Sequence, residues 1–192
     1  LNGLPTSDNP DRGFVGDPSS IWGSIPPAGY GVHAKPVAAL LRAYGLEAEA
    51  QKGLSWNDLR GEIADGRPVI VWIIGQMWIG NAIAYKDVDG GTTNVARFEH
   101  TMILIGYDET RVHVVDAYSG WTQTYPVDTF LASWAVLGNM AVTGKSTSTP
   151  SSQIQPQPNP EAKPRTYTIQ RGDYLAALAE RFNTHWQDLA AL

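Results

Sequence analysis

The chain has 192 residues, of which 43% are hydrophobic and 17% charged, with a formal net charge of −5 and no cysteine. This composition is typical of a globular protein, and the length accommodates one domain with a small second module. Without cysteine, these residues hold no disulfide, zinc ribbon or iron–sulfur cluster. No basic patch indicates nucleic-acid binding, and no apolar run reaches the roughly 18 residues that span a bilayer.

A change of composition divides the chain at residues 144–165. This segment contains five of the 13 prolines, no aromatic residue and a single branched aliphatic residue, Ile154. Such a segment buries too little apolar surface to offset its ordering entropy, which predicts a semi-extended linker. We therefore predict a large domain over residues 1–143 and a small domain over residues 166–192.

The first half of the large domain predicts two helices and a central strand. Residues 1–31 are rich in Gly, Pro, Asp and Ser, which is typical of loops. Apolar residues at helical spacing occupy 33–45, and a second helix begins at Ser55, where Asp58 completes a capping box. The β-branched run Val69–Ile74 predicts a strand that is covered on both faces.

The second half predicts mostly antiparallel strands. Residues 75–99 have the composition of a long polar loop with a turn near its end. Strands over 101–107 and 112–116, joined by a short turn, predict a hairpin. A short helix over 127–134 and a last strand over 136–142 complete an α+β domain. Tryptophans in predicted loops are candidates for lining a cleft, namely Trp22, Trp78 and Trp121.

The hairpin places two chemistry-bearing residues near each other. His100 begins the first strand and Asp116 ends the second, and the start of one antiparallel strand faces the end of the next. A carboxylate that accepts from an imidazole N–H fixes the histidine tautomer, as in the base and orienting group of a catalytic triad. The alternative is a strand-end histidine beside an aspartate that opens a turn.

The sequence does not supply an obvious nucleophile for this pair. Ser119, Ser7 and Thr6 are present, but no Gly-x-Ser-x-Gly elbow exists. A zinc site that includes His33 and His113 is disfavoured, because His113 and Asp116 lie an odd number of residues apart on one strand and point to opposite faces. We expect no metal and no other cofactor.

Several stretches of the large domain match a known family. They are Ser7-Asp8-Asn9-Pro10, Gly13-Phe14-Val15-Gly16, Tyr30-Gly31-Val32-His33-Ala34, Pro36-Val37-Ala38-Ala39-Leu40-Leu41, Gly66-Arg67-Pro68-Val69-Ile70-Val71-Trp72, His100-Thr101, Ile105-Gly106-Tyr107-Asp108 and Val115-Asp116. Residues 5–143 thereby resemble the bacteriocin-processing-endopeptidase-like cysteine peptidases of the papain-like superfamily. The resemblance implies a papain-like α+β fold, with a cysteine nucleophile, His100 as its base and Asp116 as the group that orients the histidine.

The resemblance also implies where the missing groups belong. In the family, the cysteine lies on a long helix with an oxyanion-hole glutamine just upstream, and we expect both before Leu1 in a longer parent protein. The alternative is a parent that has lost its nucleophile and whose peptidase-like domain recognises peptides without cleaving them. A cysteine just upstream of Leu1 would favour the enzyme.

The small domain begins with a strand-like segment over 166–170, followed by Arg171-Gly172-Asp173 and two helical patterns. This order is similar to a LysM domain, a β-α-α-β module that binds N-acetylglucosamine-containing glycans such as peptidoglycan. The resemblance implies sugar contacts by Gly172, Asp173 and Tyr174, with the closing strand expected after residue 192. The alternative is an amphipathic helical hairpin that serves as an interaction arm.

Together these features predict a bacterial, secreted or cell-wall-associated hydrolase of peptide or isopeptide bonds that is tethered to peptidoglycan. Its expected partners are a peptide substrate and the glycan, with neither nucleic acid nor a membrane span. The competing hypothesis is a non-catalytic wall-binding protein with a degenerate peptidase-like domain.

Overall fold

A computed structural model describes residues 3–17 and 19–144 of the chain. Residues 145–192 lie outside the described residues, and so do the predicted glycan contacts Gly172, Asp173 and Tyr174. The elements of the described part, in chain order, are α1 (Ala34–Ala43), β1 (Glu49–Gln51), α2 (Trp56–Ala64), β2 (Val69–Ile74), β3 (Ile83–Lys86), β4 (Thr92–Val95), β5 (Glu99–Tyr107), β6 (Arg111–Asp116), β7 (Thr122–Pro126), α3 (Val127–Ala135) and β8 (Ala141–Thr143).

Six strands form one antiparallel sheet in the order β1-β8-β2-β5-β6-β7. β2 lies inside this sheet between β8 and β5. Its residues Val69, Val71 and Ile73 belong to one hydrophobic core, whereas Trp72 and Ile74 belong to another. Successive side chains of a strand point to opposite faces, so β2 contributes to the cores on both sides of the sheet. The prediction of a central strand covered on both faces is confirmed.

Helices cover both faces of the sheet. On the first face, α2 and α3 contribute the fully buried side chains of Leu59, Phe130 and Trp134. On the second face, α1 contributes Ala34 and Ala38. Fully burying a large apolar side chain stabilises the folded state by roughly 1.5–3 kcal/mol. This packing, and not the helices' own propensities, holds the layers of the predicted α+β fold together.

The predicted start of α2 is observed in atomic detail. The Asp58 N–H donates to the Ser55 hydroxyl at 3.2 Å, and the Ser55 N–H donates to the Asp58 carboxylate at 2.7 Å. These two bonds satisfy backbone donors that a helix start leaves without intrahelical partners. The capping box is therefore confirmed.

The structure corrects the prediction that residues 75–99 are only a loop. β3 and β4 pair there as a separate two-stranded antiparallel sheet. In β4, Thr93 and Val95 are buried while Thr92 and Asn94 are exposed. A strand whose buried positions include a threonine lacks the apolar alternation by which half-buried strands are recognised.

Three other elements also differ from the prediction. β1 and β7 were not expected, since both consist largely of polar residues. The last strand is shorter than the predicted 136–142, because Gly138 and Asn139 have positive φ angles of 71° and 53° and turn the chain after α3. Within the described residues, no helix has the length and apolarity needed to cross a membrane.

Candidate active site

The structure brings His100 and Asp116 together. Nε2 of His100 lies 2.6 Å from Oδ1 of Asp116. Asp116 is opposite Met102 in the β5–β6 pair, and His100 is two positions before Met102 on the same strand. Residues two apart share one face, so the histidine and the aspartate are diagonal neighbours within reach of their side chains.

The Asp116 carboxylate is held by three hydrogen bonds. Its partners are His100, the Tyr118 N–H at 3.0 Å and the Ser119 hydroxyl at 2.8 Å. Burial alone raises the pKa of Asp116, but the bonds from Tyr118, Ser119 and His100 outweigh it and hold that pKa below its usual value. The carboxylate is therefore ionised at neutral pH and accepts only.

An acceptor-only carboxylate fixes the tautomer of the histidine. Nε2 must carry the hydrogen that it donates to Asp116, so neutral His100 has its lone pair on Nδ1. Within residues 3–17 and 19–144, Nδ1 makes no hydrogen bond. The pair therefore has the form of a base with its orienting group, with the basic nitrogen free to accept a proton.

His100 and Asp116 line a cleft of about 560 Å³. Trp22, Phe98 and Tyr118 contribute aromatic surface to its lining. The rings of Trp22, Trp78 and Phe98 pack against one another, with centroids 5.3 to 5.4 Å apart. Of the three loop tryptophans considered as candidates, Trp22 lines the cleft, whereas Trp78 and Trp121 are not among its lining residues.

The hydroxyl groups considered as nucleophiles do not face Nδ1 of His100. The Ser119 hydroxyl donates to Asp116, so it orients the carboxylate instead. Ser7 accepts from the Asn9 N–H at 3.0 Å in the first loop. Neither Ser7 nor Thr6 is among the residues that line the cleft.

The other two described histidines lie elsewhere. His33 is fully buried and contacts Asp11 through Nδ1 at 3.0 Å and the Tyr30 hydroxyl through Nε2 at 3.1 Å. His113 Nδ1 lies 3.3 Å from the Thr124 hydroxyl. In the part of the chain that the structure describes, no group of three or more His, Cys, Asp or Glu side chains is placed to hold a metal ion.

Two features were missed from the sequence. One is the hydrogen-bonded chain Asp11–His33–Tyr30, which is separate from the His100–Asp116 pair and whose members lie 22 and 3 residues apart, without a recognisable spacing. The other is Glu99, which lines the cleft beside His100. A Glu next to the predicted base was visible, but only the structure shows that it faces the same cleft.

An antiparallel sheet between helical layers, with a histidine–aspartate pair at a cleft, is the arrangement of a papain-like peptidase domain. Residues 4–142 match the sequence model of the Peptidase_C39 like family, and the chain belongs to that family. Residues 167–192 match the LysM domain.

Two individual proteins are similar to the chain. The chain is 27% identical over 138 residues to YvpB, an uncharacterized protein of Bacillus subtilis (strain 168), with 70% of this chain and 52% of YvpB covered. The chain thus spans about half the length of this curated relative. A crystal structure described as that of a C39-like peptidase from Bacillus anthracis is similar in fold, with a TM-score of 0.65 and 24% identity over 77% of this chain and 78% of that one.

Proposed function

We propose that this chain carries the base and orienting group of a thiol-dependent hydrolase of peptide or isopeptide bonds, held at peptidoglycan by its LysM domain. The observation that carries the proposal is the 2.6 Å contact between His100 Nε2 and Asp116 Oδ1 at the cleft. Membership of the Peptidase_C39 like family supports it.

In the proposed reaction, Nδ1 of His100 removes the proton of a cysteine thiol. The thiolate attacks the amide carbonyl carbon, and the imidazolium then gives its proton to the leaving amine. Water hydrolyses the resulting thioester, with His100 again acting as the base, which restores the thiol and releases the acid. Asp116 keeps the ring oriented and stabilises the imidazolium throughout.

The cysteine comes, in this proposal, from a segment that precedes residue 1, since residues 1–192 contain none. In this proposal the sulfur lies next to Nδ1 of His100, which makes no hydrogen bond among the described residues. A heavy-atom distance of about 3 Å from Nδ1 is needed for proton transfer.

The LysM domain serves in this proposal as an anchor on peptidoglycan, with the enzyme secreted or associated with the bacterial cell wall. LysM domains are typical of such proteins. Binding the glycan raises the effective concentration of the peptidase-like domain at wall peptides, at a reach set by the predicted linker.

The test uses the protein extended upstream of residue 1, with release of peptide fragments from purified peptidoglycan as the measurement. We expect hydrolysis that iodoacetamide abolishes. His100→Ala should lower the rate by about 10³-fold or more and leave sedimentation with peptidoglycan unchanged. His113→Ala, which removes the partly exposed histidine of the same hairpin, is the matched control and should retain activity. An extended protein without a thiol, or full activity in His100→Ala, would contradict the proposal.

A second candidate function is peptide recognition without cleavage, and the absence of cysteine from residues 1–192 favours it. In that case the extended protein binds wall peptides but releases no fragment. His100→Ala then changes peptide affinity alone.

A further inference from the structure

Glu99 presents an unpaired carboxyl group to the cleft. It is the first residue of β5 and lies opposite Ile74, next to His100 in sequence. Its side chain is directed at Gly31, where a Cβ atom would lie 3.1 Å from Oε2. Within residues 3–17 and 19–144, the carboxyl makes neither a hydrogen bond nor an ion pair.

A carboxyl group in such surroundings is poorly solvated. Burial raises the pKa of Glu99 to about 8, so the group keeps its proton in the empty cleft at neutral pH. Buried carboxylates are stable when a cation or a set of donors compensates the charge. A ligand that supplies a positive charge would therefore ionise Glu99 and bind to it.

The rest of the cleft also favours a cation. Its described lining contains two further carboxyl groups, Asp17 and Asp116, and neither Lys nor Arg. Asp116 is engaged by His100, and the Asp17 carboxylate accepts from the Ser19 N–H at 2.7 Å. Glu99 is therefore the one carboxyl of this described lining without a hydrogen bond or an ion pair.

Aromatic side chains that line the same cleft add to the attraction. Phe98 precedes Glu99, and the rings of Phe98 and Trp22 have centroids 5.3 Å apart with an interplanar angle of 75°. An ammonium group within about 6 Å of an aromatic face gains about 0.5–1 kcal/mol at exposed sites and more when desolvated. The apolar methylene groups of a lysine-like side chain would pack on the same rings.

We propose that Glu99 is a specificity-determining residue that binds a primary ammonium group of the peptide substrate beside the base His100. This inference rests on the proposed function for its substrate class. A primary ammonium group can come from the side chain of a lysine or another diamino acid, or from a free peptide N-terminus.

The test measures binding of short peptides to the full 192-residue chain by isothermal titration calorimetry at pH 7.5. The probes are acetyl-Ala-Lys-Ala-amide, acetyl-Ala-norleucine-Ala-amide and unacetylated Ala-norleucine-Ala-amide. We expect a peptide with an ammonium group to bind about tenfold more tightly than the acetylated norleucine peptide. The lysine and unacetylated arms distinguish a side-chain ammonium from an N-terminal one.

Glu99→Gln should remove this preference, while Glu109→Gln keeps it. Glu109 is exposed in the turn at the other end of β5, so this variant carries the same substitution on the same hairpin. Glu99→Asp, which keeps the charge, should retain part of the preference if the fold is intact by circular dichroism. Equal affinities of the wild type for all three peptides, an undetectable affinity for all of them, or an unchanged preference in Glu99→Gln would overturn the inference.

The two proposals fail separately because this binding test requires no thiol. If the protein prefers ammonium peptides but never cleaves peptides, the Glu99 site is supported and the proposed hydrolase function is contradicted. If it cleaves peptides but shows no ammonium preference, the hydrolase function is supported and the Glu99 site is contradicted.

Discussion

Asp116 lies opposite Met102 in the β5–β6 pair. Nearer the turn Tyr107 lies opposite Val112, and if that register continued along the strands, Asp116 would lie opposite Ile103. The register shifts between Leu104 and Gly106, which leaves one extra residue on β5. A shift of one residue moves a side chain to the other face of a sheet. The irregularity therefore offsets the extra residue and puts Asp116 on the face of His100.

Deletion of Ile103 should separate the two side chains. If β6 keeps its pairing with the end of β5 nearer the turn, Leu104 stays opposite Val114 and Thr101 becomes the residue opposite Asp116. His100 is then one position from Thr101 and lies on the other face of the sheet. We expect loss of the Nε2–H···Asp116 hydrogen bond, measured as the disappearance of a downfield imidazole proton in the NMR spectrum.

Deletion of Ile105 is the control, because it removes the extra, 42% exposed residue and leaves Leu104 opposite Val114 and Met102 opposite Asp116. This variant should retain the downfield proton. If the deletion of Ile103 also retains it, the register of β5 does not determine which face Asp116 occupies.

Asp116→Asn should lower the catalytic rate by more than a loss of folding stability would explain. An amide in this position can present its NH₂ group to Nε2 and stabilise the wrong histidine tautomer, so Nδ1 would lose its lone pair. In the extended protein we expect a fall in kcat of about 10³–10⁴-fold. The measurement is the rate of peptide release from peptidoglycan at saturating substrate.

Ser119→Ala provides the comparison for Asp116→Asn. It removes one of the hydrogen bonds to the carboxylate and leaves Asp116 ionised. A single hydrogen bond of this kind contributes about 0.5–1.5 kcal/mol, so the rate should fall by about tenfold or less. Equal losses in the two variants would show that Asp116 acts only as a structural residue.

His33→Phe should destabilise the large domain. The substitution keeps an aromatic ring but removes the hydrogen bonds of the histidine to the Asp11 carboxylate and the Tyr30 hydroxyl. Asp11 keeps its contacts with Thr93 and Lys52. A hydrogen bond contributes about 0.5–1.5 kcal/mol, so two lost bonds should lower the free energy of unfolding at pH 7, measured with urea, by about 1–3 kcal/mol.

The loss in His33→Phe should be smaller at acidic pH. Burial lowers the pKa of His33 despite its contact with Asp11, so the unfolded wild type binds a proton that the folded state excludes. The wild type therefore becomes less stable as the pH falls through the ordinary histidine range, and the variant lacks this dependence. A difference between the two proteins that is constant from pH 5 to pH 7 would contradict the neutral state of His33.

Much of the fold could be predicted because the sequence patterns that indicate its elements are local. β2 is a continuous β-branched run, α2 begins with a complete capping box, and the β5–β6 hairpin has two apolar strands around a short turn. Such patterns depend on few neighbours, so one sequence reveals them. The α+β class and the nearness of His100 and Asp116 followed from these elements.

The missed features depend on tertiary context. No local pattern marks the register shift in β5, although it decides which face Asp116 occupies. Thr93 of β4 is buried and donates to Asp11 at 2.6 Å, a contact between residues 82 positions apart. Glu99 looks like an ordinary polar strand-end residue until its surroundings are known, since sequence alone does not reveal burial of a charged group.

The stability of Glu99→Gln relative to wild type should be greater at alkaline pH than at acidic pH. Burial raises the pKa of Glu99 to about 8 in the folded state, above the ordinary value of 4.5. Between these values the folded state holds a proton that the unfolded state has released, so wild-type stability decreases as the pH rises from 4.5 to 8. Glutamine carries no such proton. The stability of the variant relative to wild type should therefore rise by at least about 1.4 kcal/mol, the equivalent of one pKa unit, between pH 5 and pH 8.5. Urea unfolding at both pH values measures this change, and the control Glu109→Gln should show none. If the stability of Glu99→Gln relative to wild type is the same at both pH values, solvent reaches the carboxyl group of Glu99 freely.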